Sequence, residues 1–217
     1  TPILFIIMNS FKGKLYISDN PFNWPSGDMF AGLENYTEGI RKTGFFAAFG
    51  WSAFITVGSV LVIVLFTSMT AWYITRVKTR LSNTLYYLFV FSMVVPFQMV
   101  MFTMSKLADM LKLNNPVGMI FLYLGFGAGL SVFMFCGFVK SIPLEIEEAA
   151  MIDGCTPIQT FFQIVMPILK PTAITVAILN AMWVWNDYLL PYLVIGVSTP
   201  YKTIPVAVQY LMGSYGA

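Results

Sequence analysis

The sequence predicts an all-α, polytopic bundle of membrane-crossing helices. Three observations lead there. Hydrophobic residues make up 58% of the 217 and charged residues 10%, against about 25% charged in an ordinary soluble domain. Four stretches, 43–75, 81–105, 113–139 and 168–196, carry almost no charge. Each is longer than the about 20 apolar residues that cross about 30 Å of hydrocarbon. Few short segments alternate polar and apolar residues, which argues against a transmembrane β-barrel.

The same composition narrows the function. Twelve Lys/Arg against ten Asp/Glu give a net charge of +2, too balanced for a nucleic-acid-binding surface. There is no histidine, so histidine metal sites, Ser-His-Asp triads and imidazole proton relays are excluded. Two cysteines, Cys136 and Cys155, make neither a disulfide framework nor a four-cysteine zinc site.

Taken in order, residues 1–11 are apolar, too short to span, and lack the charged leader of a signal peptide. They read as the end of a first helix. Residues 12–42 form a polar loop containing Pro21, Pro25, Gly27 and Gly32, with a short helix expected at 33–40. The span 43–75 follows, then the tight basic connection Arg76, Lys78 and Arg80, then the span 81–105. Asn114-Asn115-Pro116 is a turn signal before the span 113–139, where Gly125, Gly127 and Gly129 suit close helix approach. A polar insertion occupies 140–167, and 168–196 is the next span. After a turn at 197–202, residues 204–217 read as the approach to a last helix, so the chain is expected to be a piece of a longer protein. Positive charge falls on both sides of this arrangement and does not by itself orient it.

The insertion is the informative part. Ser141 is expected to cap a short helix that carries Glu145, Glu147 and Glu148 in its early turns. Gly154 stands where a helix ends and positive φ is needed. Thr156, Pro157 and Gln159 have the capping-box pattern of a second short helix, and Pro167 and Pro171 are expected to interrupt it before the span. Glu145, Glu148, Ala149 and Ile152 share one face at helical spacing. Such a face suits either a groove in a soluble partner or the membrane interface.

Glu148-Ala149-Ala150, Gly154, Ile164 and Met166-Pro167, at these spacings, resemble the EAA loop of ABC importer permeases, with Met166 where the family pattern has leucine. Ser141-Ile142-Pro143, Ile152-Asp153-Gly154, Trp185-Asn186-Asp187 and Leu33-Glu34-Asn35-Tyr36 are similar to the carbohydrate branch, of MalG type. The resemblance implies six helices in the full protein, cytoplasmic ends, and an EAA loop on the cytoplasmic side of a bacterial inner membrane. It implies an ATPase-coupling set of Glu147, Glu148, Ala149, Ala150, Asp153, Gly154 and Pro167. It also implies the partners: a dimer of ATP-binding cassette ATPases, a second homologous permease subunit forming a heterodimer, an extracytoplasmic sugar-binding protein, and the lipid bilayer. ATP and Mg would be bound by the ATPase, since this chain shows no Walker-type phosphate loop, no catalytic residue and no cofactor or metal site of its own.

Asp187 is the acid inside an otherwise membrane-like stretch, and an intramembrane carboxylate is a functional candidate by default. Counted along its helix it falls about 28 Å from residue 168, near the far interface. Trp185, Asn186 and Asp187 are therefore expected either to line the substrate path or to anchor the helix end. Trp183, Tyr188 and Tyr192 beside them fit sugar stacking or interfacial anchoring. The rival to the importer is a stand-alone ion- or proton-coupled transporter or a channel, which needs titratable groups deep in the membrane.

Overall fold

The computed structural model describes residues 2–196 and 199–215, with side-chain environments up to residue 209. Thr1, Val197, Ser198, Gly216 and Ala217 lie outside the described residues, and with them part of the turn expected at 197–202 and the outermost residues of both end segments. Every regular element among the described residues is a helix, and one isolated antiparallel bridge joins Lys12 and Phe30. This is the all-α bundle that the composition predicts.

The first helices are α1 (Pro2–Ser10), α2 (Lys14–Asp19) and α3 (Glu34–Thr43), with a 3-10 turn at Gly27–Met29. The polar loop between them is an ordered cap. Lys12, which charge counting treats as a solvated cation, is fully buried, and its Nζ donates to the carbonyls of Asn20 (2.8 Å) and Pro21 (3.3 Å). Asn35 Nδ2 donates to the carbonyls of Ser10 and Lys12 at 2.9 and 2.8 Å. These bonds satisfy backbone groups that a loop would otherwise leave to water. Gly44, at φ +58, ends α3 and turns the chain into the first span.

That span, α4 (Phe45–Arg76), is 32 residues, about 48 Å at 1.5 Å per residue. It is apolar all round, and its packed face sets small and hydroxylated residues among three isoleucines: Ala48, Ser52, Thr56, Ser59, Thr67, Ser68 and Ala71 are buried together with Ile55, Ile63 and Ile74, while Phe46, Leu61 and Phe66 point outward. Small residues let membrane helices approach closely where lipid supplies no hydrophobic drive. Thr67 and Ser68 donate to the Ile63 and Leu65 carbonyls of their own helix.

The expected single helix at 81–105 is instead α5 (Arg80–Ser92) and α6 (Phe97–Met110), meeting at 106°. Pro96 has no N–H to continue α5 and disfavours helical geometry in the residue before it. It becomes the N-cap of α6. Next, α7 (Pro116–Val139) opens on Asn115, whose Oδ1 accepts from Gly118 N at 2.8 Å, with Pro116 in the first turn. A Cβ on Gly127 would stand 2.7 Å from Asn180 Oδ1, and one on Gly129 would stand 2.8 Å from the Phe89 carbonyl. Gly125 has open space around it, so only two of the three glycines mark close approach.

The insertion holds α8 (Leu144–Ile152) and then α9 (Pro157–Thr160), which runs through a π turn at Phe161–Val165 into α10 (Met166–Asn186). Two expectations are corrected here. The second short helix is the first turn of a 30-residue helix, Pro157–Asn186, and Pro167 and Pro171 do not interrupt it. A local π adjustment and a Ser/Thr side chain absorb such prolines in membrane helices. The π turn lies just before Pro167; the carbonyl that Pro171 leaves without an N–H donor is that of Pro167, and Thr175 Oγ1 donates to the Pro171 carbonyl instead, at 3.2 Å. Beyond Asn186 come α11 (Leu189–Pro191), a π turn at Tyr192–Gly196 and α12 (Ile204–Tyr215), so 168–196 is a helix that breaks at Asp187.

Helices α4 and α7 form the central pair, α10 lies against both, α5 covers α7, and α12 touches α3 and α4. One apolar cluster gathers Ala71, Phe135, Val139, Phe161, Val165 and Leu169 toward α8; the other gathers Ile55, Met119, Tyr123, Leu190 and Ile195 at the opposite end. Among the described residues, three helices are long and apolar enough to cross a membrane, or four with the bent α5–α6 pair as one span.

Candidate functional site

The insertion is built so that one face of α8 is fastened to the bundle and the other is free. Ser141 is not its cap: that hydroxyl donates to the Phe138 carbonyl at 2.7 Å, and Pro143 stands at the N-cap. A proline there loses nothing, because the first helical N–H groups have no partner in their own helix. Gly154 adopts φ +88, a left-handed conformation open to glycine without cost, and reverses the chain between α8 and α9. Thr156 and Gln159 form the reciprocal capping box, with Thr156 N donating to Gln159 Oε1 at 2.8 Å. Thr156→Ala is expected to lower stability by about 1 kcal/mol, read as a lower thermal-melting midpoint of the full-length protein in detergent; an unchanged midpoint would show that the cap is dispensable.

The coupling set divides in two. Glu148, Ala149, Asp153 and Gly154 are exposed, together with Leu144, Glu145, Met151 and Ile152. Ile152 is 85% exposed and, with the exposed Leu144 and Met151, leaves aliphatic surface beside the carboxylates. Glu147 and Ala150, grouped with the exposed set in the sequence, face inward and are buried. The reason for Glu147 is a basic partner 71 residues earlier. Its Oε1 accepts from Arg76 Nε at 2.9 Å and Nη2 at 2.6 Å, and its Oε2 accepts from Trp72 Nε1 at 2.9 Å. Arg76 Nη2 also reaches the Ile142 carbonyl at 2.9 Å. Pro167 lies two residues past the π turn and lines an open groove of about 510 Å³ with Phe162, Met166, Lys170, Ala173 and Ile174.

At the far end of α10, Trp185, Asn186 and Asp187 do not converge. Trp185 meets Phe49 of α4 edge-on at 5.7 Å. Asn186 is exposed and its Nδ2 donates to the Met182 carbonyl of its own helix at 2.7 Å. Asp187 ends the helix: Oδ1 accepts from Leu189 N and Oδ2 from the Tyr123 hydroxyl, both at 3.0 Å. A carboxylate accepting from a backbone N–H two residues on is a turn-forming arrangement, so these bonds anchor the break between α10 and α11. Tyr188 and Tyr192 stack at 5.2 Å.

Sequence reasoning passed over Asn180. Its amide is buried in α10, where Nδ2 donates to Ser131 Oγ at 3.2 Å and to the Val176 carbonyl at 2.9 Å. It borders a recess of about 170 Å³ lined by Phe126, Gly127, Leu130, Leu179 and Trp183. A lone amide in the middle of an apolar run was the available signal.

A family model described as "Binding-protein-dependent transport system inner membrane component" matches residues 63–216. The chain is 40% identical over 215 residues to the "Probable starch degradation products transport system permease protein AmyC" of Thermoanaerobacterium thermosulfurigenes, covering 99% of this chain and 77% of that protein. It is 34% identical over 217 residues to the "Multiple sugar-binding transport system permease protein MsmG" of Streptococcus mutans, again covering 99% and 77%. The fold matches a solved bacterial ABC transporter involved in import of the acidic polysaccharide alginate, with TM-score 0.79 and 21% identity over 98% of this chain and 73% of that one.

Proposed function

The chain belongs to the family of binding-protein-dependent transport system inner membrane components, and on that premise we propose that it is the permease subunit of an ATP-driven importer of a sugar or oligosaccharide. It is a multi-pass membrane protein and a transport component. In this reading it sits in the bacterial cytoplasmic membrane beside a second permease subunit. An ATP-binding cassette ATPase dimer docks on α8, and an extracytoplasmic binding protein delivers the sugar. ATP and Mg are held by the ATPase.

The observation that carries the reading is the divided face of α8. Carboxylates, a small residue and uncovered aliphatics point away from the bundle, as a helix seated in a partner's groove requires. The sugar class is supported by AmyC and MsmG, which are named for transport of starch degradation products and of multiple sugars. Closing of the ATPase dimer would carry α8 with its groove, and the spans joined to it would turn between outward-open and inward-open states. The rival, a stand-alone ion-coupled transporter, fits poorly: Asp187, the acid within the apolar stretch, closes a helix end.

The test is mass spectrometry of what co-purifies with the full-length protein from its native membrane, followed by uptake in proteoliposomes. A second permease, an ATPase and ATP-dependent uptake of a labelled maltooligosaccharide or a related sugar are expected. Recovery of the protein alone, with uptake driven by an ion gradient, would overturn the reading.

A further inference from the structure

The chain joins α8 to α7 and α10 only. We propose that Trp72, Arg76 and Glu147 form a positioning clamp that makes α4 a third driven span, so that displacement of α8 passes into the centre of the bundle. The proposal rests on the importer reading given above.

The clamp has the geometry of a rigid joint. Arg76, in the last turn of α4, grips α8 through both Nε and Nη2 on Glu147 Oε1, and grips the α7–α8 connector through Nη2 on the Ile142 carbonyl. The other carboxylate oxygen takes the Trp72 indole N–H. Glu147 is 3% exposed and Arg76 18%. On its other side the Trp72 ring lies 5.6 Å from that of Phe161 in the π turn, and Ser68 Oγ is 4.0 Å from Met166 Sδ at the start of α10. The end of α4 is thus tied to α8, to the connector before it and to the helix after it. A guanidinium fork fixes direction as well as distance. Apolar side chains of similar volume would hold the helices together as well or better if stability alone were needed, whereas a buried ion pair specifies one register. At its outer end α4 meets α12, where Ile204 N donates to Ser52 Oγ at 2.8 Å. A tilt imposed at Arg76 therefore reaches the opposite side of the molecule through a single helix.

The experiment uses the assembled transporter in proteoliposomes and measures sugar uptake and ATP hydrolysis separately. Glu147→Gln and Arg76→Gln are each expected to leave ATP hydrolysis within about twofold of the parent and to lower uptake per ATP by about tenfold or more, because one buried charge loses its partner. The exchanged pair, Arg76→Glu with Glu147→Arg, is expected to recover a large part of the ratio. An unchanged ratio in both single variants would overturn the clamp. So would an equal fall in uptake and hydrolysis that the exchanged pair does not restore, since that is the signature of mere support for α8. If the glutamine variants do not assemble, Arg76→Lys, which keeps the charge and loses the fork, decides in the same way: a lowered ratio supports the clamp and the parental ratio overturns it. Absence of ATP-driven sugar uptake in the parent complex would sink the importer reading instead, so the two failures are read from different samples.

Discussion

Glu148→Lys is expected to abolish ATP-driven uptake while the protein still reaches the membrane and folds. Glu147 and Glu148 are adjacent in sequence and stand about 100° apart around α8, one carboxylate buried against Arg76 and the other in solvent. Reversing the exposed charge touches nothing inside the chain, so melting of the purified subunit should be unchanged. Its cost falls on the partner, where the proposed role has Glu148 meeting a basic group in the ATPase groove. Loss of one member of a desolvated interfacial charge pair costs about 2–5 kcal/mol, and each 1.4 kcal/mol is about tenfold in binding. Binding to the ATPase should therefore weaken by about thirtyfold or more, which removes measurable uptake and leaves less ATPase co-purifying. Parental uptake and parental ATPase recovery in this variant would remove Glu148 from the docking surface.

Gly129→Val is expected to overpack the contact between α5 and α7 and to lower stability clearly. A Cβ at this position would stand 2.6 Å from Ser92 Oγ, 2.8 Å from the Phe89 carbonyl oxygen and 2.9 Å from Met93 Cγ. The carbonyl is backbone and cannot rotate aside, so α5 must move away from α7 just where the chain bends toward α6. Overpacking of this kind costs about 1–3 kcal/mol, and valine adds two further methyl groups to the clash. Gly125→Ala is the control, because nothing lies within 4 Å of its Cβ position. Thermal melting of both variants in detergent should show a clear drop for Gly129→Val and little for Gly125→Ala. Equal melting of the two would mean that α5 and α7 do not meet as described.

Much of this architecture is legible from single residues. Long uncharged runs locate α4 and α7, Gly154 announces its left-handed turn, and Thr156 with Gln159 announces the capping box. What escapes has a common physical origin, namely partners distant in sequence. A helical wheel drawn on nine residues cannot say that Arg76 waits for Glu147, nor that Ala150 turns inward while Ala149 stays exposed. Lys12 is another case, since a lysine in a polar loop is ordinarily solvated and only the carbonyls of Asn20 and Pro21 make its burial tolerable. The prolines mislead in both directions. Pro96 breaks a helix that hydropathy reads as continuous, whereas Pro167 and Pro171 sit inside a helix that local rules would end. The difference lies in the π turn ahead of Pro167, which periodicity does not reveal.

The hydroxyls on the packed face of α4 bear on friction. Thr67 and Ser68 bond to carbonyls of α4, and Ser131 bonds to the Gly127 carbonyl of α7. Each of these bonds travels with its own helix. If α4 slid or rolled against α7, none of the three would have to break. Resistance at these positions would come from contacts between small groups, worth about 0.1–0.2 kcal/mol per atom pair, and those re-form in a neighbouring register. Along this stretch the surface works as a bearing held by close fit, and the ties lie toward one end of it, where Cys136 Sγ donates to the Ala71 carbonyl at 3.7 Å and Arg76 grips the Ile142 carbonyl.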